Sequence, residues 1–115
     1  MIHPEPQFVR HIRYYDKTYR VDIYGYLLDP EEWTKRFARR NATEMGMGSL
    51  KSEEWDILNH LRQRFSETGK IPAIPETCQT VGISRERVED LFPLGYYRCA
   101  VKLAGLNPVN RAFPT

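Results

Sequence analysis

The chain has 115 residues, the size of one domain with a modest hydrophobic core. Hydrophobic residues make up 41%, charged residues 28%, and the formal net charge is +2, as in an ordinary soluble globular protein. This charge gives no general attraction to nucleic acid or membrane, and no apolar run approaches the roughly 20 residues of a membrane span. The first ten residues carry two prolines and no apolar signal core, so we expect a cytoplasmic protein.

The cysteine content excludes a disulfide scaffold. Cys78 and Cys99 are the two cysteines, no CxxC motif is present, and the three histidines are far apart in sequence. Both thiols are therefore expected to be free in a reducing compartment. We expect no metal site and no cofactor, because the ligand spacing of a zinc site is missing.

Segment 8–28 is rich in β-branched and aromatic residues and predicts a β-hairpin with one buried face. A turn is expected at Asp16 and Lys17. The apolar positions that alternate with polar ones in the second strand are Tyr19, Val21 and Ile23. Gly25 then predicts a bend before a short extended piece at 26–28.

Segment 29–93 predicts a helical body. Asp29, Pro30 and two glutamates begin a helix that is expected to end near Arg40, since acidic residues favour a helix N-terminus. Its basic residues are expected toward the C-terminal end, where cations are favoured, and residues 41–51 are expected to be a loop. These basic residues are Lys35, Arg36, Arg39 and Arg40.

The strongest helix signal begins at Ser52 and ends at Gly69. Its inward positions recur at helical spacing. They are Trp55, Leu58, Leu61, Arg62 and Phe65, with Ile57 on the flank. A proline-stiffened connector is expected at residues 70–75.

Two shorter helices, 75–81 and 84–92, predict a helix-turn-helix-like pair. Cys78, Gly82 and Val88 have its spacing: a small residue for close approach, a glycine for the turn and a valine for packing. Arg85 and Arg87 are the candidate DNA-binding residues. The second helix also carries three acidic residues against these two arginines, so a role in packing alone is the alternative.

Residues 94–115 contain glycines and prolines and little helical periodicity, and they predict a C-terminal arm with only local order. The arm carries Arg98, Lys102 and Arg111 and no acidic residue. We expect these cations either to bind an acidic cleft of a partner or simply to keep the arm soluble.

Several motifs, in order, resemble the DsrC/TusE family of sulfur-relay proteins, which includes the gamma subunit of dissimilatory sulfite reductase. Segment 55–74, with Trp55-Asp56-Ile57-Leu58 and Pro72-Ala73-Ile74, resembles the central helix and connector of the family. Leu91-Phe92-Pro93-Leu94-Gly95 resembles its L-F-P-x-G motif. Lys102-Leu103-Ala104-Gly105-Leu106 resembles its K-I-A-G-L stretch, with Asn107 where proline is usual.

The resemblance implies a single α+β domain over residues 1–115. A small β-meander or hairpin packs against an array of helices, and an extended C-terminal arm follows. In the carriers the arm ends in a penultimate cysteine whose thiol exchanges a persulfide with partner proteins. The corresponding position here falls near Ala112, and no cysteine follows Cys99. The resemblance therefore implies a binding or regulatory member that interacts with sulfur-relay proteins or sulfite reductase subunits.

The sequence is also compatible with two alternative functions, sulfur transfer and DNA binding. Cys99 lies beside Arg98 and near Lys102, and nearby positive charge lowers the pKa of a thiol, so Cys99 is a candidate sulfur-transfer residue. Otherwise Cys99 is an ordinary, partly buried thiol. The second alternative is a DNA-binding regulator that acts through Arg85 and Arg87. No phosphate-binding loop or nucleophile elbow is present, so an independent enzyme activity is not expected.

Overall fold

The computed structural model describes residues 9–15 and 17–108, which form a β-hairpin followed by a series of helices. The elements are β1 (Arg10–Tyr14), β2 (Lys17–Val21), a 3-10 helix (Pro30–Glu32), α1 (Lys35–Glu44), α2 (Ser52–Thr68), α3 (Ile74–Val81), α4 (Arg85–Leu91) and a π-helix (Tyr96–Val101). The predicted α+β class is confirmed. In these two ranges no helix has both the length and the apolar character needed to cross a membrane.

The predicted hairpin is confirmed, with β1 and β2 antiparallel. Lys17 was expected in the turn. It is instead the first residue of β2, where it pairs with Tyr14. Phe8 and Asp16 lie outside the described residues. Gly25 has a positive φ of 88°, and the extended piece that follows it makes one bridge, between Leu27 and Val21.

A small aromatic core joins the hairpin to α1. Tyr14, Tyr19 and Phe37 are all buried, and the ring centroids of Tyr19 and Phe37 are 5.1 Å apart. Val21 and Leu27 complete this cluster. Tilted rings at this distance add to the stability from apolar burial, so the hairpin is fixed to the helical body.

The helix expected from Asp29 to Arg40 is wrong in both bounds. A 3-10 turn, Pro30–Glu32, is followed by extended Trp33 and Thr34, and α1 begins at Lys35. Thr34 caps α1, since its Oγ1 accepts a hydrogen bond from the Phe37 amide at 3.2 Å. At the other end, buried residues continue the helix to Glu44, where a loop was expected.

This shift reverses the expected placement of two cations. Lys35 and Arg36 occupy the first turn of α1, at the positive end of the helix dipole, and not its C-terminal part. Charges of this sign are unfavourable at that position. The cost is tolerated because apolar residues further along α1 fix the helix against the core.

The predicted helix from Ser52 to Gly69 is confirmed as α2, which ends at Gly69 in the left-handed conformation. Ile57, Leu58 and Leu61 are completely buried at the centre of the main core. Burial of such side chains contributes about 1.5–3 kcal/mol each. The expected short helices occur as α3 and α4 on either side of left-handed Gly82, with Val88 buried.

The C-terminal arm expected from residue 94 does not begin there. Residues 96–101 form a π-helix, and seven buried residues between Tyr96 and Leu106 belong to the main core. The expectation failed because glycine and proline content suggested disorder, whereas the apolar residues among them pack against α2. Residues 109–115, including Arg111 and Ala112, lie outside the described residues.

Candidate functional site

The C-terminal segment is held by a clamp made of Trp33 and Arg62. The Trp33 indole Nε1 donates to the Leu103 carbonyl at 2.7 Å, and Arg62 Nη1 donates to the Ala104 carbonyl at 2.8 Å. The Arg62 guanidinium lies 4.2 Å from the centre of the Trp33 ring, a cation–π contact. Burial lowers the pKa of Arg62.

Further contacts fix the same segment to the loop after β2. Lys102 Nζ donates to the Tyr24 carbonyl at 2.7 Å, and Asn107 Nδ2 donates to Asp22 Oδ2 at 2.9 Å. Tyr26 donates its hydroxyl to the Tyr97 carbonyl at 2.9 Å. Segment 95–107 is therefore part of the folded body.

The three cations that were expected on the arm differ in what the structure shows of their exposure and contacts. Lys102 is half-buried and tethered to the loop after β2, so it is not displayed for a partner. Arg98 is exposed on the π-helix and remains available for binding. Arg111 lies outside the described residues. Arg98, on the π-helix, and Lys102, directly after it, therefore have separate roles.

Cys99 lies in the middle of the π-helix and is completely buried. Burial raises the pKa of the Cys99 thiol to about 11, and the positive charge of Lys102 offsets only part of this effect. The shift is opposite to the lowered pKa that neighbouring cations suggested. The sulfur atoms of Met47 and Met45 cover the thiol, at 3.4 and 3.7 Å from Sγ. Cys78, on α3, is half-buried.

The candidate DNA-binding arginines lie on α4 and engage acidic neighbours. Arg87 Nη2 is 2.6 Å from Glu53 Oε1, which ties α4 to the start of α2. Arg85 Nε lies 3.8 Å from Glu89 Oε2 on its own helix. A surface on which arginines alternate with carboxylates gives little net attraction for a phosphate backbone. DNA binding through these residues stays a prediction that this geometry does not favour.

A basic cleft lies where the hairpin meets the start of α1. It has a volume of about 610 Å³ and no acidic side chain among its lining residues. We define the basic cleft by Lys17, Thr18, Tyr19, Thr34, Lys35, Arg36 and Arg39. The sequence revealed four cations of α1, of which three line the basic cleft, but it did not show that Lys17 of the hairpin joins these three.

Sequence reasoning also missed the Trp33–Arg62 clamp. A signal was present, since Arg62 occupies an otherwise apolar position of α2, where a charged residue needs partners. Those partners are backbone carbonyls more than 30 residues away along the chain. The pattern of side chains in a sequence does not show which backbone carbonyls will lie next to Arg62 in the fold.

Comparisons with known proteins agree with this fold. The family profile described as "DsrC like protein" matches residues 13–110. Sulfurtransferase TusE of Shigella dysenteriae serotype 1 is 31% identical, covering 78% of this chain and 88% of that protein. The dissimilatory-type sulfite reductase gamma subunit of Nitratidesulfovibrio vulgaris is 25% identical, covering 83% and 90%.

A solved structure gives the same result. The solution structure of DsrC from Allochromatium vinosum is 29% identical and superposes with a TM-score of 0.78, covering 94% of this chain and 97% of that one. The motif segment 55–74 covers most of α2 and the connector to α3, and Leu91–Gly95 begins at the last residue of α4. The motif Lys102–Leu106 contains the two carbonyls that the clamp binds. From the profile match, the relatives and the shared fold, the chain belongs to the DsrC-like protein family.

Proposed function

We propose that this protein is a binding or regulatory member of its family that docks on sulfur-relay proteins or sulfite reductase subunits without carrying sulfur itself. It would act in the cytoplasm, where such partners and reduced thiols occur together. The observation that carries the proposal is the position of Cys99: it is completely buried, and no cysteine follows it as far as Thr115.

A sulfur carrier needs a thiolate that reaches the reactive group of its partner. With a pKa of about 11, Cys99 remains protonated at neutral pH, and Met45 and Met47 cover it. The family resemblance puts the position of the exchanging cysteine near Ala112, whose methyl group cannot carry sulfur. Both features support binding rather than transfer.

The basic cleft is the surface that we propose for docking. Four cations from two elements converge there without a lining carboxylate, so an acidic face of a partner protein would gain attraction and orientation. This proposal replaces docking through Lys102, which the fold engages. Arg98 remains a candidate secondary contact on the exposed side of the π-helix.

Sulfur loading tests the non-carrier role. The purified protein is incubated with a cysteine desulfurase and cysteine, and its intact mass is measured. We expect no gain of a sulfur atom by this chain, and a gain by its Ala112→Cys variant. A gain by the unmodified chain that Cys99→Ser removes would establish Cys99 as a carrier and contradict the proposal.

Partner capture tests the binding role. The immobilised protein is presented with purified sulfite reductase and, separately, with purified sulfur-relay subunits at low and physiological salt. We expect binding of one of them that Arg36→Glu with Arg39→Glu weakens, whereas the matched pair Arg85→Glu with Arg87→Glu on α4 does not. No binding to either, or equal losses in both pairs, would contradict docking at the basic cleft.

A further inference from the structure

Three sulfur atoms from two distant parts of the chain meet inside the fold. Met45 caps the C-terminal end of α1, and Met47 follows two residues later in the loop. Their Sδ atoms lie 3.7 and 3.4 Å from the Sγ atom of Cys99. We propose that Met45, Met47 and Cys99 form a binding site for Cu(I), a soft monovalent cation.

The chemistry of the three ligands selects this ion. Thiolate and thioether sulfur are soft ligands that favour Cu(I) over harder divalent cations. One thiolate and two thioethers around Cu(I) make a site with no net charge, so the ion can occupy an apolar core at little desolvation cost. A divalent zinc ion would leave one positive charge there and would lack its usual fourth ligand.

The spacing of the sulfur atoms also fits. Three sulfurs at about 2.3 Å from a central ion lie about 4 Å from one another. The Cys99 sulfur already lies 3.4 and 3.7 Å from the two methionine sulfurs. These two separations would have to lengthen by only about 0.3–0.6 Å to reach that spacing. Methionine side chains are flexible enough to supply them.

The ion has a route to the site through the loop after α1. Met45 and Met47 are only partly buried, and Gly46 and Gly48 have positive φ and open space around them. Cu(I) would leave its donor ligand and form Cu–S bonds to Cys99, Met45 and Met47, while the S–H bond of Cys99 breaks and its proton goes to water. A metal-bound thiol is deprotonated even where burial disfavours the free thiolate.

The proposal differs from the absence of a metal site expected from sequence. That expectation considered the spacing of cysteine and histidine, whereas this site uses two methionines that flank one glycine. Among the described residues no cluster of three His, Cys, Asp or Glu side chains provides an alternative site. The site is independent of the proposed function, since docking at the basic cleft needs no copper.

Anaerobic titration of the reduced full chain with Cu(I) held by a chromophoric chelator tests the site. We expect one equivalent of Cu(I) to transfer to the protein with new near-ultraviolet absorbance from the copper–thiolate bond. Cys99→Ser should lose this equivalent, and Met45→Leu or Met47→Leu, which keep volume and thiol, should lower the affinity. Cys78→Ser should bind as the unmodified chain does.

Circular dichroism confirms that each variant is folded before titration. Retention of the full affinity in the double variant Met45→Leu/Met47→Leu would show that a thiol alone binds, and would overturn the site. Loss of copper in Cys78→Ser, or no transfer to the unmodified chain, would also overturn it. Partner capture and sulfur loading are separate measurements, so failure here leaves the proposed function standing.

Discussion

Gly105 lies directly against the indole of Trp33. A Cβ atom at residue 105 would come 2.8 Å from Cγ and 2.9 Å from Cβ of Trp33, and the backbone there has a positive φ of 76°. Any side chain would displace the indole from the Leu103 carbonyl to which it donates. The glycine of the K-L-A-G-L stretch is therefore required by the clamp.

We predict that Gly105→Ala lowers the free energy of unfolding by about 2–4 kcal/mol, combining strain at positive φ with overpacking. Urea denaturation followed by circular dichroism measures it. Gly69→Ala is the matched control, because Gly69 has a φ of 72° but open space around it, and it should cost only about 1 kcal/mol. Equal losses would mean that contact with Trp33 adds nothing.

Arg62→Lys should also destabilise the protein, although it keeps the charge. The planar guanidinium donates to the carbonyls of Ala104 and Pro30 while it stacks on Trp33, and an ammonium group cannot reproduce this arrangement. We expect a loss of about 1–3 kcal/mol in urea denaturation. Arg85→Lys, on the exposed surface of α4, should change stability little, and a similar loss there would argue against a specific clamp.

The two thiols should differ in alkylation rate. At a pKa of about 11 instead of 9.0, the thiolate fraction of Cys99 at neutral pH is about a hundredfold smaller, and burial hinders access further. In Cys78→Ser, iodoacetamide labelling of Cys99 should be slow and should accelerate across the urea transition. Half-buried Cys78 in Cys99→Ser should react faster. Rapid labelling of folded Cys99 would show that the π-helix opens readily.

Stability should fall in mild acid because of His60. Burial lowers the pKa of this side chain, with a smaller lowering from Arg64 and opposing effects of Glu76 and Glu67. Below pH of about 6.5 the unfolded chain therefore binds a proton that the folded chain accepts less readily. The stabilising contribution is present above that pH and is lost as the pH falls toward the lower folded pKa.

Denaturation midpoints of the unmodified chain and His60→Leu between pH 7.5 and 5 measure this effect. The variant should show a shallower loss of stability, since the carboxylates titrate in both proteins. Within the described ranges, His60 Nε2 is a buried nitrogen without a hydrogen-bond partner, so its removal should cost little at neutral pH. Identical pH slopes would contradict the assignment to His60.

The parts of the fold that were predictable are those with local periodic signals. The alternation around Tyr19 and Val21 indicated the hairpin, and the spacing of Leu58 and Leu61 indicated α2, because each pattern matches the geometry of one element. The start of α1 was not predictable in this way. Asp29 and Thr34 are both capping residues, and both cap in the structure: Asp29 caps the 3-10 turn and Thr34 caps α1. Trp33 lies between the two elements, and its indole donates to a carbonyl 70 residues later, a contact that no local pattern shows.

The candidate site was likewise only partly predictable from the sequence. The missing terminal cysteine near Ala112 was visible in the sequence, and so were the cations of α1. The environment of Cys99 was not, because Met45 and Met47 approach it from more than 50 residues away. The cations next to Cys99 in sequence suggested a lowered thiol pKa, whereas burial in the fold raises it.

The packing of residues 96–106 has a consequence for biosynthesis. The hairpin, α1 and α2 emerge from the ribosome before residues 96–106, yet the apolar surface of α2 is fully covered only when these residues join the main core. The nascent chain therefore exposes apolar helix surface until residues 96–106 have left the ribosome, and such surface is what general chaperones bind.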